Sequence, residues 1–192
     1  MLILQASLNL LGIMAVTAYS VGNKINILLE QGPIAIGSAM ATYSAQNLGA
    51  GKISRIHQGI KSSIKIMVFY FLIFGTLTAF LGKYLTYLFV SENISNIIDN
   101  VDLFLKIISA TGILLGILCI YRNCVQGMGY GVISLAGGVV ELISRSIVAA
   151  VTMHYRSFFT VCMGYSVAWL FASIFFAAVY YFIDHKKSTH LT

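Results

Sequence analysis

The stretch "GGVVELISRSIVAAV", residues 137–151, decides how this chain is read. Eleven of its positions are apolar or glycine, yet Glu141 and Arg145 stand in the middle, four residues apart. A run like this suits the hydrocarbon core of a bilayer, where an isolated charge is costly. A spacing of four puts both side chains on one helix face, with the acid N-terminal to the base, the better orientation for a pair. Two roles stand open for them: the polar wall of a substrate or ion pathway, or a buried pair that fixes helix packing.

The rest of the chain has the same character. Of its 192 residues, 58% are hydrophobic and only 9% are charged, and the mean hydropathy is +0.87. A soluble domain carries about 25% charge. A chain this short has no core large enough to bury so much apolar surface, so the composition implies an integral membrane protein. The net charge of +6 does not point to nucleic acid, because the basic residues are scattered at the ends of apolar runs. Cys119, Cys124 and Cys162 lie in or beside apolar segments without metal or redox spacing, and read as small buried hydrophobes. No nucleophile–base set, phosphate loop or zinc spacing is present, so neither an enzyme, a metal site nor a bound cofactor is expected. His57, His154, His185 and His190 are expected in loops or the tail.

Four apolar runs, about 63–90, 102–121, 131–153 and 158–183, each have the roughly 20 residues a spanning helix needs. Helix is the expected state, because open strand edges find no partners in lipid. The loop after residue 48 carries Lys52, Arg55, Lys61 and Lys65, and the tail carries Lys186 and Lys187, whereas Glu92, Asp99 and Asp102 cluster between the first two runs. The positive-inside rule then places the basic loop, the turn containing Arg122 and the C-terminus in the cytoplasm.

Residues before 50 are harder. Hydropathy alone gives two spans, 1–22 and 25–47, parted by Asn23 and Lys24. The first is not preceded by the basic region of a signal peptide. The second holds Glu30, Gln31 and the only proline, Pro33, which removes a backbone donor and kinks a helix. Glu30 and Gln31 are candidates for an ion-linked site, or for a polar cavity face without titration. Gln46, Asn47 and Gln126, with glycines nearby, read as caps and turn-formers.

The segment "AVTAYSVGNKINILLEQGPIAIGSAMATYSAQNLGAGKISR" resembles the multidrug and toxic compound extrusion (MATE) family at its eighth helix and exit loop. The "QN-x-GAGK" ending stands here as Gln46, Asn47, Gly49, Ala50, Gly51 and Lys52. "YRNCVQGMGYGVISLAGGVVELISRSIVAA" is similar to the turn between the tenth and eleventh helices, with Gln126 and Gly127, followed by the E-x-x-x-R pair. "GYSVAWLFASIFFAAVYY" is similar to the twelfth, with its Ala168–Trp169 pair.

The resemblance implies an all-α membrane bundle of about five transmembrane helices plus an N-terminal helix stub. It would form a single domain over 1–192, corresponding to the second lobe of a twelve-helix transporter and lacking most of that lobe's first helix. Residues 1 to about 8 would be the stub, "NLLG" the outer turn, and about 14–47 one long kinked helix around Pro33, in place of the two hydropathy spans.

The resemblance further implies a multidrug antiporter of the cytoplasmic membrane, exporting organic cations or drugs in exchange for Na+ or H+ and inactive without its N-terminal lobe. Pathway candidates are Glu30, Gln31, Tyr43, Glu141 and Arg145, with Tyr43, Phe69, Tyr70, Phe74 and Trp169 suited to flat cations or to ordinary packing. Some branches carry an acidic residue in the tenth helix, and 103–121 here has none. Two other roles are a lipid-linked oligosaccharide flippase, which more cationic residues than Arg145 facing the cavity would favour, and a non-transporting membrane scaffold or assembly subunit.

Overall fold

A short helix, α1 (Leu2–Asn9), leads through a turn at Gly12 into α2 (Ile13–Gly49). Gly12 has φ +90°, a conformation costly for any residue with a Cβ. Stub, turn and long helix therefore follow the expected division, and the two-span reading of 1–47 fails. α2 has 37 residues, roughly 55 Å at 1.5 Å per residue. The computed structural model describes residues 2–89 and 94–189. Glu92 and His190 lie outside the described residues, as do the side chains of Lys186 and Lys187.

The "QN-x-GAGK" segment closes α2 through its backbone. Gly51, at φ +69°, allows the N–H of Lys52 to reach the Asn47 carbonyl at 2.8 Å, while its own N–H donates to Leu48 at 3.0 Å. These are the two bonds of a Schellman motif. The next helix is α3 (Ile53–Tyr70), continued by a π turn at Phe71–Gly75, α4 (Thr76–Leu81) and a 3-10 segment at Gly82–Leu88. Then come α5 (Ile94–Gly127), α6 (Gly131–Tyr155) and α7 (Phe158–Thr189). α5 ends as α2 does: Gly129 has φ +95°, with Tyr130 N–H donating to Val125 and Gly129 N–H to Gln126.

α5 is the central helix, with α2 along one side, α7 along another and α6 packed mainly on α7. Gly127 makes the first contact possible, because a Cβ there would stand 2.2 Å from the Ala41 carbonyl oxygen. The small-residue face at Gly112 and Gly116 receives Phe71 and Met67, the close approach such faces permit between membrane helices. The core gathers Phe104, Ile108, Val125, Trp169 and Phe176, all nearly inaccessible.

Four helical stretches are long and apolar enough to cross a membrane: Ile53–Leu88, Ile97–Gly127, Gly131–Tyr155 and Phe158–His185. The fifth expected span, α2, has the length but not the apolarity, since Asn23, Lys24, Asn26, Glu30 and Gln31 lie in its N-terminal half. On α6, Leu135 and Leu142 are 73% and 58% exposed while Ser134 and Ser144 are buried. Greasy side chains outside and small polar ones inside suit lipid as the surrounding solvent.

The three described histidines are helical: His57 in α3, His154 in the last turn of α6, His185 in α7. His57 Nε2 is 2.9 Å from Asp184 Oδ1. That contact ties the start of α3 to the end of α7. The expected basic loop is mostly helix: Arg55, Lys61 and Lys65 lie in α3 and only Lys52 in the turn before it, on the same side of the bundle as the end of α7.

Candidate functional site

α2, α5, α6 and α7 enclose a cavity of about 430 Å³. α2 supplies Glu30, Ile34 and Ser38, successive residues of one stripe four apart. α5 supplies Leu115, Leu118, Cys119, Arg122, Asn123 and Gln126; α6 supplies Glu141 and Arg145; α7 supplies Tyr165 and Trp169.

Glu141 bridges two arginines. Its Oε1 lies 3.5 Å from Arg122 Nη1 and its Oε2 lies 3.4 Å from Arg145 Nη2. Its side chain is 17% exposed, against 30% for Arg145 and 41% for Arg122. Each contact is long for a charge-assisted hydrogen bond, which sits nearer 2.7–2.9 Å. Both pairs therefore lie loosely enough for another charged or polar group to compete. Arg145 also rests over the Tyr165 ring, its guanidinium carbon 4.8 Å from the ring centre, within cation–π range. Its Nε has no hydrogen-bond partner among the described residues.

Across the cavity, Asn26 Nδ2 donates to Glu30 Oε1 at 2.7 Å. Tyr165 is held from α2 as well, its hydroxyl donating to Asn23 Oδ1 at 2.9 Å, with Tyr19 stacked beside its ring. Of the polar residues in the N-terminal half of α2, Glu30 lines this wall and Asn23 and Asn26 hold its members in place, whereas Lys24 lies over the Phe89 ring. Two carboxylates, two guanidiniums and two large aromatic rings converge on one space.

Of the five pathway candidates, Glu30, Glu141 and Arg145 line the cavity. Gln31 is exposed and donates to the Ile27 carbonyl. Tyr43 turns toward α3, its hydroxyl donating to the Arg55 carbonyl at 3.2 Å, and its ring packs where a Cβ on Gly59 would intrude. Pro33 is buried inside α2. Gln46 is exposed, and Asn47 bonds the Tyr43 carbonyl. Gly49 has open space, and Gln126 both lines the cavity and closes α5. Phe69 and Phe74 point outward and lie 66% and 49% exposed.

Arg122 belongs to α5 rather than to a turn, so Arg145 is not alone in facing the cavity. Across the α5–α6 hairpin, Arg122 Nε lies 3.4 Å from Ser134 Oγ.

A family model described as MatE matches residues 1–152, from α1 through most of α6. Tyr165 and Trp169 lie beyond the matched segment. No curated protein and no solved structure matches the chain.

Proposed function

The chain belongs to the MatE family, and on that premise we propose that it forms the C-terminal lobe of an antiporter exporting organic cations in exchange for Na+ or H+. The family is one of transporters, not enzymes, and membrane transport is its business. Antiport, the cation class and the need for a second lobe are the finer reading. A single observation carries that reading: a cavity within a membrane bundle where the carboxylates of Glu30 and Glu141 stand with the rings of Tyr165 and Trp169.

A cation entering this space meets aromatic faces for its apolar part and carboxylate oxygen for its charge. Glu141 is shared between two arginines, so Glu30, bonded only through Asn26 among the described groups, is the carboxylate with spare capacity. A coupling Na+ or H+ would compete for that same oxygen, which links the two fluxes. Alternating access would follow from rocking of this lobe against a partner lobe around the site. The protein sits in the cytoplasmic membrane with the basic loop and C-terminus inside.

Arg122 beside Arg145 gives some weight to the flippase alternative, but each guanidinium reaches Glu141, and two carboxylates balance two arginines. A site for a polyphosphate headgroup needs surplus positive charge. The test is ethidium efflux from an efflux-deficient bacterial strain. The chain alone leaves efflux at background. Joined to the N-terminal six helices of a full-length MatE-family transporter it raises efflux, and Glu30→Gln abolishes that rise. Efflux by the chain alone, or undiminished efflux with Glu30→Gln, contradicts the reading.

A further inference from the structure

Arg145 lines the cavity between α2, α5, α6 and α7 as a cation tethered to α6. Its guanidinium carbon lies 4.8 Å from the centre of the Tyr165 ring, and its Nη2 lies 3.4 Å from Glu141 Oε2. An aromatic face and a carboxylate oxygen are what an organic cation needs from a protein. Here the chain's own side chain engages both.

The ring is fixed and the arginine is not. Tyr165 donates its hydroxyl to Asn23 Oδ1 at 2.9 Å. It packs among Tyr19, Phe104 and Trp169, with ring centres 5.4 to 6.5 Å away. Arg145, by contrast, is 30% exposed and makes one long contact to a carboxylate that Arg122 shares. A guanidinium keeps its charge at every working pH, so its hold on the ring is not released by deprotonation.

We propose that Arg145 is a built-in competitor for the transported cation: it covers the Tyr165 ring, and a flat organic cation binds by displacing it. This inference rests on the transport reading above. The displaced guanidinium stays beside Glu141, while the incoming cation takes the ring and finds its carboxylate in Glu30. Arg145 is then a specificity-determining residue. Only a ligand that stacks on Tyr165 better than a tethered guanidinium does gains the site, which favours broad flat cations over small alkylammonium ions.

Ethidium binding to the purified chain in detergent, read by fluorescence anisotropy, tests this. Every group involved lies in this chain, so the measurement needs no partner lobe. Arg145→Ala tightens binding about fivefold, the worth of one partly exposed cation–π contact. Arg122→Ala removes the same charge from the cavity but uncovers no ring, and tightens binding about twofold or less. In a Tyr165→Leu background the gain from Arg145→Ala falls to that same level. Methylguanidinium, which replaces the lost side chain, weakens ethidium binding to Arg145→Ala and not to the parent. That comparison stands without Tyr165→Leu should this variant fail to fold. Unchanged or weaker binding in Arg145→Ala, equal gains in Arg145→Ala and Arg122→Ala, a full gain without Tyr165, or methylguanidinium acting alike on both forms would each overturn the proposal. Absence of ethidium binding in parent and variants alike would overturn the transport reading with it.

Discussion

The hydroxyl of Tyr70 donates to the carbonyl oxygen of Leu29 at 3.0 Å. Leu29 is the residue four before Pro33, whose missing N–H would otherwise have bonded that carbonyl. Gly32 makes the approach possible, since a Cβ there would stand 2.4 Å from the Tyr70 ring. A helix defect in α2 is thus filled by a side chain from α3.

Removing that donor alone should cost stability. Tyr70→Phe leaves the Leu29 carbonyl unbonded and should lower stability by about 1 kcal/mol, the usual worth of such a bond. Pro33→Ala restores the N–H within α2, so Tyr70→Phe should cost less in that background. A double-mutant cycle on thermal unfolding in detergent checks this. Additive effects would mean that the two groups do not serve the same carbonyl.

The shared carboxylate makes a second prediction. Glu141→Ala strips a partner from both Arg122 and Arg145, whereas Arg122→Ala strips one contact only. Because the groups are partly exposed, each contact is worth about 1 kcal/mol or less. Glu141→Ala should therefore destabilise more than Arg122→Ala, and thermal unfolding of the two variants should rank in that order.

Glycine substitutions should divide sharply. Gly127→Ala places a methyl 2.2 Å from the Ala41 carbonyl oxygen and must push α2 away from α5. Overpacking of this kind costs about 1–3 kcal/mol. Gly49→Ala meets nothing within 4 Å and should change stability by less than about 0.5 kcal/mol. Folded yield and melting temperature report both.

Much of this fold was legible because membrane helices announce themselves by apolarity. The long α2 was the exception: Asn23, Asn26 and Glu30 serve the cavity and the Tyr165 hydroxyl, and with Lys24 and Gln31 they break the apolar run, so hydropathy divides it in two while Pro33 and the QN-x-GAGK ending keep it whole. The site was legible only in part, for geometric reasons. At roughly 100° per residue, Gln31 cannot share the stripe of Glu30, Ile34 and Ser38. Tyr43, thirteen residues on from Glu30, comes round to the α3 side. The expected turn at Arg122 is helix instead, because α5 runs on to Gly127 before its glycine closure, a boundary that a hydropathy profile does not mark. Asn23 and Tyr165 join the site through a contact between distant helices, which no local pattern displays, whereas Asn26 reaches Glu30 one turn away within α2.

The account stands most directly on water reaching the space between α2, α5, α6 and α7. With Cys119, Cys124 and Cys162 replaced by serine or alanine, single cysteines are placed at Ser38, Gln126 and Arg145 in the cavity and at Leu135 and Leu142 on the outer face of α6. A charged thiol reagent applied to membrane vesicles open to both sides should modify the first three positions readily and the last two hardly at all. Equal modification of both sets, or protection of the first three, would contradict a hydrated cavity and remove the basis for the proposed transport site.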